Sequence, residues 1–196
     1  FTAAYFDEYG RYSFGRQPEA ALWALTQLGK SLDKFIDEKT IIETLNQFSK
    51  CFHKSLKKHF CWRMGIQDID SKNLNEIMTT LLIESEKNKI DYANMFYDFY
   101  GGRDSIIDCI KTNYGKKYKI NEFSKIVDIL KETLPAKGVL EKKCQLDNNR
   151  QNLLIGEVEH IWREIDQNDN WELLYEKINN IRNLGYLLES EKLVHL

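Results

Sequence analysis

Only 2 prolines and 10 glycines punctuate this chain of 196 residues. Long helices joined by short loops tolerate so few breakers, whereas a many-turned β-sandwich does not. No apolar run reaches membrane-spanning length and no signal-peptide pattern opens the chain, so a cytoplasmic protein without a membrane partner is expected. Charge of one sign is also lacking: 28 Lys+Arg stand against 30 Asp+Glu. That balance argues against the broad basic footprint of a nucleic-acid binder. Cysteine is sparse, and Cys51, Cys61, Cys109 and Cys144 form neither a C-x-x-C pair nor a cluster with the 4 histidines. Reduced thiols in a reducing compartment are the expectation, not a disulfide scaffold. The first residue is Phe1 rather than Met, which suggests a trimmed or excised N-terminus.

What is present is an apolar fraction of 42% and a charged fraction of 30%, enough for a real core and too apolar for a disordered chain. Residues 1–17 carry Tyr5, Phe6, Tyr9, Tyr12 and Phe14 around Gly10 and Gly15, and read as a packed irregular loop. Pro18 then opens a helix bearing Leu22, Leu25, Leu28 and Leu32. Thr40 and Glu43 make a capping box for one long helix with Ile41, Leu45, Phe48, Phe52, Leu56 and Phe60. Asp70 or Ser71 caps a helix with Leu74, Ile77, Met78 and Leu81, and Asp91 a short one stopped by Gly101-Gly102. Asp104 starts another, ending at Gly115; Asn121 starts the next, closed by Pro135. Residues 136–148 are polar and read as a loop. Beyond them lie two more stripes, Leu154 to Ile165 and Leu173 to Ile181. No strand alternation and no fixed-period repeat is found. The expectation is an all-α fold, an aromatic N-terminal loop followed by a bundle of about eight helices. It divides into a helical region 1–135, a loop 136–148 and an acidic helical annex 149–196. The acidity of that annex marks either a subdomain boundary or a solvated face.

Catalytic patterns are few. A nucleotide-triphosphate enzyme needs backbone N–H groups around phosphates, a basic residue on them and carboxylates for Mg²⁺. No Walker A pattern occurs, and Gly101-Gly102 before Arg103 is explained as a helix stop. His53 and His59 fall on nearly opposite sides of a helix, and Cys61 does not converge with His59, so no metal site is expected. Cys51 shares a helical side with Lys54 and Ser55, but no nucleophile pattern such as G-x-S-x-G accompanies it. Lys54, Lys57 and Lys58, with His53, His59 and Arg63, form a basic stretch. It is either a patch for phosphate or an acidic partner, or the solvated side of an amphipathic helix. No catalytic, cofactor-binding or metal-ligating residue is assigned.

More specific is the run Asp7-Glu8-Tyr9-Gly10-Arg11-Tyr12-Ser13-Phe14, followed by Gln17-Pro18 and Leu22-Trp23. It resembles a segment of the selenoprotein O (UPF0061) family, in which an H-S-D-x-x-G-R-Y run leads through Q-P into a helix with an -LWNL- core. Trp62-Arg63-Met64-Gly65-Ile66 and Ile90-Asp91-Tyr92-Ala93-Asn94-Met95-Phe96 look like later family elements. The resemblance covers residues 5–100 and implies a C-terminal helical region only. It also implies a pseudokinase-fold protein adenylyltransferase that binds ATP and Mg²⁺ and moves AMP onto protein hydroxyls (AMPylation). The family's catalytic elements precede the D-x-x-G-R-Y run and have no counterpart here. ATP and Mg²⁺ are therefore expected only with an upstream kinase-like domain, and the chain as a fragment inactive alone. Asp7, Gly10, Arg11, Tyr12, Gln17, Pro18 and Trp23 carry the motif in scaffold roles. In place of the family's N-H-S stands Ala4-Tyr5-Phe6, and the chain ends Val194-His195-Leu196 without a terminal cysteine or selenocysteine. The rival expectation is a free-standing helical module, a decayed family member that binds a protein partner.

Overall fold

The computed structural model describes residues 7, 9–88, 92–119 and 122–188. Among them the fold is all-helical, with ten α-helices and no strand. The expected starts at Asp91 and Asn121, and the terminal Val194-His195-Leu196, lie outside the described residues. The chain divides into two compact units, Phe1–Phe60 and Cys61–Leu196, and the division falls within a helix.

In the first unit a 3-10 turn, Phe14–Arg16, leads into α1 (Gln17–Ser31), with Pro18 in its first turn. α2 (Glu38–Asn46) packs back on α1. Gly29, the one residue α1 buries, permits that approach: a Cβ there would meet Ile41 Cγ2 at 2.7 Å. The cap of α2 differs from expectation. Asp37, not Thr40, is the cap; its carboxylate accepts from the Thr40 N–H at 3.0 Å and the Thr40 hydroxyl at 2.7 Å. Aspartate caps as well as threonine, and its position places Thr40 at the third helical residue, where its N–H needs an acceptor. The Thr40 side-chain bond, followed by the backbone bond, holds the Asp37 carboxyl below its ordinary pKa. A second correction concerns the long helix. It is broken at Gln47, and α3 (Phe48–Met64) starts anew, although no glycine or proline marks the junction.

The second unit takes the last turn of α3, then α4 (Ser71–Asn88), α5 (Tyr92–Asp98), α6 (Arg103–Lys111), a 3-10 segment Tyr114–Lys119 and α7 (Phe123–Lys131). α8 (Val139–Asn148), α9 (Ile155–Asn168) and α10 (Glu172–Leu188) complete it. Asp70 caps α4, accepting from Asn73 N–H at 2.9 Å. α6 begins one residue before Asp104, with Gly102 as its cap, and stops at Lys111 rather than Gly115. Gly115 instead lies in the 3-10 segment, so close to the α6 end that a Cβ would meet Cys109 O at 2.0 Å.

The core of this unit follows helical spacing. Phe123, Ile126, Val127 and Leu130 line one face of α7 and are buried, facing α4 and α6 with Ile77, Leu81 and Ile106. Each such side chain contributes about 1.5–3 kcal/mol on burial. Met95, Phe99 and Tyr118 close the same core. A smaller cluster joins Tyr100, Val139, Leu146 and Leu188, with Trp62 against it.

Residues 139–148, expected as part of a loop, are helix α8. Val139 and Leu146, two turns apart, are its buried points, and the polar residues between them mask the stripe. The described part of residues 149–196, expected as an acidic helical annex, carries α9 and α10.

Candidate functional site

The residues of the D-x-x-G-R-Y run form a carboxylate-centred turn. Asp7 Oδ1 accepts from the Arg11 N–H at 2.8 Å and Oδ2 from the Tyr12 N–H at 2.7 Å. The Gly10 N–H donates to Asp7 O at 3.0 Å, and Gly10 has φ +61°, a left-handed conformation that glycine adopts without steric cost. Arg11 places its guanidinium 5.8 Å from the Trp23 ring centroid, a cation–π contact onto α1. Arg16 bonds Glu19 at 3.0 Å and the Tyr9 carbonyl at 3.4 Å. Gln17 and Pro18 stand at the start of α1. Thus Asp7, Gly10, Arg11 and Tyr12 come together in one turn, and Arg11 reaches Trp23. The Asp7 carboxylate already accepts backbone hydrogen bonds on both oxygens, which orders the loop.

In the second unit the structure assembles a buried ionic network that the sequence patterns did not reveal. Asp98 closes α5 with its side chain only 4% exposed. Arg150 Nη1 donates to its Oδ1 at 2.7 Å, and the Tyr118 hydroxyl to its Oδ2 at 2.5 Å; Lys117 Nζ stands 3.9 Å away. Arg150 Nη2 also donates to Asp147 at 2.6 Å, and Lys143 to the other oxygen of Asp147 at 2.5 Å. The Tyr97 hydroxyl donates to Gln151 O at 2.9 Å and accepts from Gln151 N–H at 3.1 Å.

These contacts shift protonation in directions that hold the network together. Burial, the hydrogen bond to Asp98 and its charge push the Tyr118 phenol far above its ordinary range. Burial alone would lower the Arg150 pKa, but its bonds to Asp98 and Asp147 outweigh it and raise it. Burial lowers that of Arg63, whose guanidinium lies 4.5 Å from the Tyr97 ring centroid and 5.3 Å from that of Phe96. The network is neutralised internally, and both Asp98 oxygens are engaged. It ties the α8–α9 linker to α5 and to the 3-10 segment, with each Asp98 oxygen accepting a hydrogen bond from a neighbouring element.

Other sequence candidates do not assemble chemistry. The Gly101 N–H donates to Met64 O at 2.8 Å and the Gly102 N–H to Phe99 O at 2.9 Å, so neither is available to cradle phosphate. Among the described residues no three His, Cys, Asp or Glu side chains converge as a metal site. The four cysteines are free, and burial, with Asp98 nearby, raises the Cys109 thiol pKa, weakening it as a nucleophile. An open groove of about 410 Å³ lies where the α8–α9 linker, α9 and α10 meet, lined by Arg150, Asn152, Glu157, His160, Lys177 and Asn180. Its lysine is already paired: Lys177 Nζ donates to both Glu157 oxygens, at 2.7 and 2.9 Å, and to Asn152 O at 2.8 Å. No helix among the described residues is long and apolar enough to cross a membrane.

Residues 1–182 match the family described as Protein adenylyltransferase SelO. A Protein nucleotidyltransferase YdiU of Trichormus variabilis is 22% identical over 208 residues, covering 94% of this chain and 41% of the relative. That of Synechocystis sp. is 25% identical over 191 residues, with 88% and 39% covered. That of Shewanella putrefaciens is 28% identical over 105 residues, with 50% and 22% covered. The chain thus spans about two fifths of the length of the first two relatives. No solved structure matches it.

Proposed function

The chain belongs to the SelO family of protein adenylyltransferases, and from that premise we propose that it is the helical C-terminal part of an enzyme that moves AMP from ATP onto protein hydroxyls. In this reading ATP and Mg²⁺ are held by an upstream kinase-like domain, and the residues described above buttress it. The chain alone is then inactive. The D-x-x-G-R-Y turn acts as scaffold, setting the entry to α1 through Asp7 and Arg11. The free cysteines agree with a cytoplasmic setting.

The observation that carries the reading is the match over residues 1–182 together with coverage of only 41% of the Trichormus relative. The surface of α1 supports it. Leu22, Trp23, Leu25 and Leu28 are exposed, Trp23 by 53% and Leu28 by 55%. Exposed large apolar side chains grouped on one helix commonly mark an interface.

The test is AMP transfer from labelled ATP to a protein acceptor, run on this chain and on the whole product of its gene. Transfer by the whole product but not by the chain is expected. Transfer by the isolated chain would overturn the assignment of the nucleotide site to an upstream domain. A gene product of intact mass near 23.2 kDa would instead favour the free-standing interaction module.

A further inference from the structure

Several lysines of this protein pair with a carboxylate on their own helix. Lys39 pairs with Glu43, Lys111 with Asp108, Lys131 with Asp128 and Lys143 with Asp147, each three or four residues away on its own helix. Lys50, Lys54 and Lys58 have no such partner, because residues 44–67 contain neither aspartate nor glutamate. All three are exposed, and none enters an ion pair among the described residues. Their spacing of four places them on one face of α3, with a rise of about 6 Å between neighbours. The opposite face carries Phe48, Phe52, Leu56 and Phe60, half-buried or buried. Like charges at this spacing destabilise an isolated helix, so the stripe is held at a cost that an anionic partner would relieve.

We propose that Lys50, Lys54 and Lys58 form a docking rail for an acidic helical segment of a partner protein, one whose carboxylates recur every four residues. The two repeats then match, and each lysine meets one carboxylate. A protein partner is favoured over nucleic acid on two grounds. The stripe is lysine without arginine, and α3 exposes no Phe, Tyr or Trp ring for base stacking. It also extends only about 12 Å, too short for the many phosphate contacts on which nucleic-acid affinity rests. The inference goes beyond AMP transfer and requires no nucleotide.

The test is an NMR titration of the whole chain with an alanine-based helical peptide bearing glutamate every four residues. Controls are the same peptide with glutamine and a single-stranded oligodeoxythymidylate of equal charge. Saturating shifts on α3 are expected with the glutamate peptide only, weakening about tenfold from low to physiological salt. The triple variant Lys50→Gln, Lys54→Gln, Lys58→Gln keeps helix propensity, and its affinity is expected to fall about tenfold or more at unchanged helical content. Equal shifts with the glutamine peptide, an unchanged triple variant, or tighter binding of the oligonucleotide would each overturn the proposal. The glutamine-peptide comparison uses the unaltered protein, so the test stands even if the variant folds poorly.

Discussion

α1 and α7 are both amphipathic by sequence, yet they have different fates. α7 buries Phe123, Ile126, Val127 and Leu130, four residues on one face, against α4 and α6. α1 buries only Gly29 and leaves Trp23 and Leu28 more than half exposed. The same spacing of apolar side chains therefore yields core in one unit and open surface in the other. Periodicity specifies which face of a helix is apolar; it does not say whether this chain covers that face.

The largest effect expected from this contrast is in the α7 core. Phe123→Ala should cost about 3–5 kcal/mol, because a fully buried ring leaves a cavity among Tyr118 and its neighbours. Urea unfolding followed by circular dichroism measures it; a loss no larger than that of a surface substitution would erase the distinction between the two helices.

Next in size is Asp98→Ala, which strands Arg150 and Tyr118 and should cost about 3 kcal/mol. The same network has an alkaline signature. The Tyr118 phenol is raised above its ordinary value of 10.0, so the stability it contributes is present below that pH and is lost as pH rises beyond it. Unfolding curves collected on either side of pH 10 should show the loss, and Tyr118→Phe should flatten it.

Smaller is Gly10→Ala. The left-handed backbone at φ +61° makes a side chain there cost about 1–2 kcal/mol, concentrated in the Asp7 turn. Hydrogen exchange of the Arg11 and Tyr12 amides, which Asp7 accepts, reports it locally; unchanged protection would show that the turn does not depend on that conformation.

The smallest is Leu28→Ala on the open face of α1, expected to stay within about 0.5 kcal/mol in this chain. In a longer product in which α1 is covered, the same substitution should cost about 2–5 kcal/mol. Comparing the two proteins by unfolding is the sharpest check on whether that face is an interface.

Much of the fold was legible because helices write their buried face at a spacing of three and four. Leu74, Ile77 and Leu81 show this in α4, and all three are buried. α8 was not legible: its two buried points, Val139 and Leu146, are separated by Glu141, Lys142 and Lys143, and read as polar loop. The break at Gln47 carries no local signal either. The D-x-x-G-R-Y turn was singled out by its family resemblance, and its hydrogen-bond partners lie within five residues. The Asp98–Arg150 pair could not, since 52 residues separate its members and each looks ordinary in its own segment. Local patterns report on neighbours along the chain; a buried ion pair is a property of the completed fold.

The Trp62 indole N–H donates to Leu188 O at 3.0 Å, across 126 residues. This one bond has a consequence for how the protein is made. Chains emerge from the ribosome N-terminus first, at about 5–20 residues per second. The α1–α2 hairpin can pair as soon as it clears the exit, while Trp62 must wait until the last turn of α10 is synthesised. For several seconds the nascent second unit carries an unfilled cluster around Tyr100 and Val139, which makes that interval the period in which a chaperone has most to protect.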